Sequence, residues 1–170
     1  MSMADTVPAF GGGWAHTHGL FELKVPAPLG DLTALSDRHA ITDAVACYAW
    51  SVDEQQYDLM ADLFTQDMTF QGCVAGVANL ETVVGGATLV AWLKDFLGSR
   101  DDQFRHTLAN VVVTEQGPDT ATALAYCVLA SSTPAGSVVQ ATGIYRFSLV
   151  KGGERWRISG IYGGFDAVPF

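Results

Sequence analysis

Phe104-Arg105-His106-Thr107-Leu108-Ala109-Asn110-Val111-Val112-Val113 is the stretch from which the rest of the chain is read. It is rich in β-branched and aromatic residues, and neither Pro nor Gly interrupts it, so a strand is predicted. Strand alternation puts His106, Leu108, Asn110 and Val112 on one face. A His and an Asn on an otherwise apolar face fit a polar device inside an apolar pocket. They equally fit a core histidine bonded to backbone.

Downstream, Gln116-Gly117-Pro118-Asp119 predicts a turn. A long strand from Thr120 to Ser132 follows. One of its faces carries the small residues Ala121, Ala123, Ala125 and Cys127; the other carries Thr122, Leu124, Tyr126 and Val128. After a turn at Thr133-Pro134-Ala135-Gly136 come a strand from Val138 to Val150, a tight Gly152-Gly153 turn and a last strand from Arg155 to Tyr162. Gly163-Gly164-Phe165 then reads as the loosening of the chain into an apolar tail. Upstream, Gly98-Ser99-Arg100-Asp101-Asp102 reads as a solvated polar turn. Before it lie a helix over about 87–97, a short extended piece at Thr82-Val83-Val84, a strand from Met68 to Val74, and a short helix with Tyr57, Met60, Leu63 and Phe64 as its apolar face.

The first helix is predicted to start at Ser36 as N-cap and to end at Asp53, with Asp37 in the first turn where the helix dipole favours an anion. Ile41, Ala44, Val45, Tyr48 and Val52 fall on one stripe. Tyr48 therefore points inward and Trp50 outward. Residues 1–34 are punctuated by Gly and Pro and read as an irregular arm; residues 35–170 read as one domain. His16 and His18 form an H-x-H pair in a glycine-flanked loop, with no third ligand near in sequence, and no metal site is expected. Helices first and a meander of long strands last indicate an α+β fold, helices packed on one face of a curved sheet.

Of the 170 residues, 49% are hydrophobic and 16% charged, enough apolar surface for a core and some to spare. The formal net charge of −9 argues against nucleic acid and anionic membranes, which need a basic footprint. Cys47, Cys73 and Cys127 are odd in number and lack a C-x-x-C spacing, which fits free thiols in a reducing cytoplasm. No signal peptide or membrane-spanning run is legible.

The segments Ala46-Cys47-Tyr48-Ala49-Trp50-Ser51-Val52-Asp53, Tyr57-Asp58, Leu63-Phe64-Thr65-Gln66-Asp67-Met68-Thr69-Phe70, Arg105-His106-Thr107-Leu108-Ala109-Asn110 and Arg155-Trp156-Arg157-Ile158 together resemble SnoaL-like domains. These belong to the superfamily of nuclear transport factor two, scytalone dehydratase and ketosteroid isomerase. The resemblance implies a cone-shaped (cystatin-like) curved antiparallel sheet with three helices packed on it. It is closest to the dehydratase-like branch, which includes scytalone dehydratase, bile-acid dehydratase and hexachlorocyclohexane dehydrochlorinase. That branch uses an Asp at the end of the first helix and a His on the central strand; Asp53 and His106 stand at those positions. The bile-acid enzyme's Tyr, five residues before the Asp, is matched by Tyr48. Scytalone dehydratase has a second His on the following strand, and here Leu124-Ala125-Tyr126-Cys127 has none.

The resemblance implies a cofactor-free lyase with catalytic His106, Asp53 and Tyr48, and with Tyr126 and Asn110 as substrate-binding candidates. The chemistry is coherent on general grounds. A neutral His accepts a proton near pH 7, an Asp on its other nitrogen fixes the tautomer, and a phenol can bond a developing enolate oxygen. The same parts suit an isomerase or polyketide-type cyclase, and a non-catalytic ligand-binding domain is the reading from a different class. The substrate is expected to be small and apolar or aromatic. The branch also implies a homo-oligomer, trimer before dimer. Its sheet's outer face would pack between subunits, and the small-residue face from Ala121 to Cys127 would allow close approach.

Overall fold

The computed structural model describes residues 23, 25, 26, 28, 30–76 and 78–167. His16, His18 and the rest of residues 1–22 lie outside the described residues. Three helices and seven strands follow one another among the described residues: α1 (Leu32–Asp53), α2 (Tyr57–Leu63), β1 (Phe64–Val74), β2 (Ala78–Asn79), β3 (Val83–Val84), α3 (Gly86–Gly98), β4 (Gln103–Gln116), β5 (Thr120–Thr133), β6 (Gly136–Gly152) and β7 (Arg155–Phe165). They form one mixed, unclosed sheet in the order β2-β1-β7-β6-β5-β4, with β3 also on β1. All pairs are antiparallel except β1 with β7. Register shifts in β4, β5, β6 and β1 mark bulges, the local kinks by which a sheet bends.

The first helix starts earlier than predicted. Asp31, not Ser36, is its N-cap; its carboxylate accepts from the Ala34 N–H at 2.9 Å. An Asp that reaches a free N–H of the first turn caps as well as a Ser, and it comes first in the chain. Asp37 is thus one turn inside the helix. It accepts from Lys151 Nζ at 2.9 Å and from Trp156 Nε1 at 3.0 Å, tying the start of α1 to the β6–β7 hairpin. The Lys151 bond and the Trp156 bond hold its carboxyl below the ordinary value.

The stripe Ile41, Ala44, Val45, Tyr48 and Val52 is buried against the sheet, as its helical spacing predicts. Facing it on the concave side are Ala121, Ala123, Ala125 and Cys127 of β5, with Tyr145, Phe147 and Leu149 of β6. The small face of β5 is therefore core, not a subunit contact. Its short side chains leave room for the aromatic residues beside them. The alternate residues Leu124, Tyr126 and Val128 lie on the outer side, with Tyr126 56% exposed.

Gly163-Gly164-Phe165 does not loosen. β7 runs to Phe165, pairing with β1 on one side and β6 on the other. Glycine is what allows the strands to approach. A Cβ on Gly143 would come 2.0 Å from the Gly164 carbonyl oxygen, and one on Gly72 would come 2.7 Å from that of Gly163. Among the described residues, no helix is long and apolar enough to cross a membrane.

Candidate active site

The end of α1 and the start of β4 meet at Asp53 and His106. Asp53 is the last residue of the helix and His106 lies on an edge strand, where outward N–H groups have no sheet partner. Asp53 answers both needs of that residue. Its Oδ2 accepts from the His106 backbone N–H at 2.7 Å, and its Oδ1 pairs with His106 Nδ1 at 2.6 Å. Both side chains are well enclosed, 6% exposed for His106 and 7% for Asp53. A carboxylate can only accept, so Nδ1 carries the proton and Nε2 of the neutral ring is left as an acceptor. Among the described residues Nε2 has no hydrogen-bond partner. At the rim, Arg105 and Glu54 form an exposed ion pair at 2.9 Å.

His106 stands between two spaces. Its ring lies edge-on to Phe104 at 5.2 Å and to Tyr48 at 6.2 Å between centroids. Phe104 and Tyr48 line an apolar cavity of about 340 Å³, whose walls include Phe70, Trp92, Phe96 and Leu129. His106 itself lines a cleft of about 430 Å³ along the β4 edge, with Asp53, Ala49, Trp50 and Leu108.

Tyr48 is inward and 2% exposed. Its ring packs against Phe147 at 5.7 Å and Tyr145 at 6.1 Å. Burial pushes its phenol above the ordinary range, with Cys127 and Asp53 adding in the same direction, so it keeps its proton and can donate. Burial likewise pushes the Cys127 thiol up to about 12; it is a neutral thiol near pH 7 and no nucleophile.

Two expected site residues lie elsewhere. Asn110 has φ 53° at the bulge between Ala109 and Val112 and is exposed. The extra residue reverses the alternation: Phe104 and Val113 are both buried although strict period two would oppose them. Asn110 thus bends the strand and does not share a working face with His106. Tyr126 is on the outer side of β5, away from the cavity. In the turn before β4, Gly98, Ser99 and Asp101 are exposed as expected, but Arg100 and Asp102 are not fully solvated. Arg100 grips the Asp102 carboxylate through Nε at 2.7 Å and Nη2 at 2.5 Å, and its guanidinium lies 4.8 Å from the Phe104 ring centre. Sequence reasoning missed Tyr145, which lines the cavity beside Tyr48. The signal was available, because it alternates with Phe147 and Leu149 along β6.

The family model described as SnoaL-like domain matches residues 33–161, most of the chain. The chain belongs to the SnoaL-like domain family. Within this family, part of the nuclear-transport-factor-two-like superfamily, it is similar in structure to several solved proteins. One is described as a putative aromatic ring hydroxylase from Novosphingobium aromaticivorans, with 27% identity, TM-score 0.64 and coverage of 77% of this chain and 90% of that one. Another, from the same genus and species, is described as a nuclear-transport-factor-two-like protein with a cystatin-like fold, with 22% identity, TM-score 0.66 and coverage of 81% and 92%. A Mycobacterium tuberculosis protein of unknown function matches at 22% identity and TM-score 0.67, covering 78% and 77%. No curated protein matches the chain.

Proposed function

We propose that this SnoaL-like domain is a lyase that needs no cofactor, eliminating water or another β-leaving group from a small apolar or aromatic carbonyl compound. The observation that carries the reading is the enclosed Asp53–His106 pair, with Nδ1 held and Nε2 unpartnered. His106 Nε2 takes the proton next to the carbonyl. The C–H electron pair becomes an enolate, whose oxygen accepts a hydrogen bond from Tyr48. The enolate collapses to the conjugated alkene as the C–O bond to the β-hydroxyl breaks, and the imidazolium returns its proton to that oxygen, releasing water. Asp53 holds the tautomer and stabilises the imidazolium throughout.

The test is a screen of β-hydroxy carbonyl compounds, following conjugated product by ultraviolet absorbance. On a substrate that the parent converts, His106→Ala is expected to lose turnover with its melting temperature and circular dichroism preserved. Retained turnover in that variant overturns the assignment. Isomerisation or cyclisation starts with the same proton removal and is the outcome if the enolate is reprotonated or attacked internally. A ligand-binding domain without turnover is favoured by one observation, that His106 lines the outer cleft while the apolar cavity is walled by its neighbours. We propose further that the chain works as a homo-oligomer, a trimer before a dimer, through the outer face of its sheet.

A further inference from the structure

We infer that the chain before α1 is exchanged between copies: Leu23 and Val25 of one copy seat on the outer face of α1 of a second, against Ala46 and Trp50, beside the cleft that His106 lines. The inference rests on the proposed homo-oligomer and names a contact within it. It uses neither the apolar cavity nor the chemistry.

Two apolar surfaces without a partner carry it. The first is a stripe along the solvent side of α1. Leu32, Leu35, His39, Asp43, Ala46 and Trp50 recur at intervals of three and four, so they lie one above another on the helix. All six are exposed, Leu32 at 83% and Trp50 at 67%. In the middle His39 and Asp43 face each other across one turn at 3.5 Å, and the two ends are apolar. The C-terminal end runs into the cleft, where Ala46 and Trp50 form the helix wall and Thr107 and Leu108 the strand wall.

The second surface is the segment before α1. Leu23 is 64% and Val25 88% exposed, although both are apolar. In extended chain two such residues point to one side about 7 Å apart. Ala46 and Trp50, one turn apart, stand about 6 Å apart along the helix, so one pair fits against the other. Pro26 biases Val25 to extended backbone, and Pro26 and Pro28 present no N–H that would need a strand partner.

The two surfaces belong to one chain, yet both are exposed, and its length explains why. Val25 can lie at most about 20 Å from the N-cap Asp31 in fully extended chain. Trp50 lies about 28 Å along the helix from that point. Folded back on its own helix, the segment brings Val25 no further than about the turn of Asp43, where the stripe is charged. A second copy is free of this tether and can set both residues on the apolar end. Exchange between identical chains closes as a dimer or as a ring of three. It covers Trp50 and lays apolar chain beside the outer side of the Asp53–His106 pair, which the same cleft includes.

The experiment is cross-linking between copies. Chains with Leu23→Cys and chains with Ala46→Cys, each also carrying Cys47→Ser and each with its own tag, are co-expressed and treated with a short bismaleimide. Cys73 and Cys127 are buried and stay out of the reaction. A product of twice the chain mass that carries both tags is expected. Val25→Cys with Trp50→Cys is a second pair with the same expectation. Leu23→Cys with Glu154→Cys, on the exposed β6–β7 turn, is the control and is expected to give no such product. Light scattering on the untreated chains reads the assembly separately. An oligomer in which neither pair links overturns the exchange and leaves the assembly standing. A chain carrying Leu23→Cys and Ala46→Cys together that links only within itself also overturns it, by assigning the segment to its own helix. Equal linking in the control reduces the product to chance collision and overturns it too, and a monomeric parent overturns exchange and assembly together.

Discussion

At the scale of single residues the question is what Asp53 does for His106. It binds the ring and the backbone of the same residue, so it sets both tautomer and position. Asn at this place keeps the shape but presents an N–H donor or a weaker acceptor to Nδ1. Asp53→Asn is expected to lower kcat by on the order of 10³-fold or more, the scale of a lost tautomer-fixing carboxylate, with little change in KM. Equal losses in kcat and in ligand affinity would make Asp53 a structural residue. Tyr48→Phe, measured in the same assay, is expected to cost about 10²–10³ in kcat if the phenol meets the developing oxyanion; full activity would remove it from the mechanism. That Asp53 and His106 can meet was legible from a helix end and a strand position. The loss of Asn110 from that face was not, because the face is set by a bulge: of Ala109-Asn110-Val111 the Asn best tolerates a left-handed conformation, but that tolerance does not say that the strand will use it.

At the scale of elements, β4 depends on that bulge and on the turn that leads into it. Asn tolerates a positive φ far better than a β-branched residue, for which left-handed backbone costs roughly 1–2 kcal/mol. Asn110→Val is expected to destabilise by about that amount in urea unfolding, and Asn110→Gly by little or nothing. Equal stability of all three would deny the bulge any energetic role. The turn carries a charge argument. Arg100 beside Asp102 holds the Asp102 carboxyl at about 2, against an ordinary 3.8. A depressed folded-state value stabilises the fold fully above pH 3.8 and loses that contribution as pH falls through about 2. Asp102→Asn is expected to remove this segment of the acid-stability curve and leave the curve's shape near neutrality unchanged. Superimposable curves between pH 3.8 and about 2 would show that the pair contributes no pH-dependent stability. The sequence hid this pair because two adjacent acids after an Arg look solvated. Burial is decided by the rings of Phe96 and Phe104, over which the guanidinium lies.

At the scale of the molecule, the meander β4-β5-β6-β7 was legible because neighbours in sequence are neighbours in the sheet. The parallel β1–β7 contact was not, since it joins strands separated by most of the chain and leaves no local turn signal. The same sheet decides how copies can associate. Its concave side is filled by α1 and the aromatic core, so only the outer side is available to a second chain. There Tyr126 is 56% exposed, between half-buried Leu124 and Val128 and opposite Ile144 on β6. Exposed aromatic and branched side chains flanked by polar ones are the composition of an interface core. Light scattering is expected to return three times the 18.1 kDa chain mass, and Tyr126→Glu is expected to shift it toward one chain mass without loss of helix or strand signal. A charge forced into a dehydrated contact has no partner there, whereas on a free surface it costs nothing. A monomeric parent would therefore refute the assembly, and a trimer indifferent to Tyr126→Glu would move the contact away from Tyr126 to another part of the outer face.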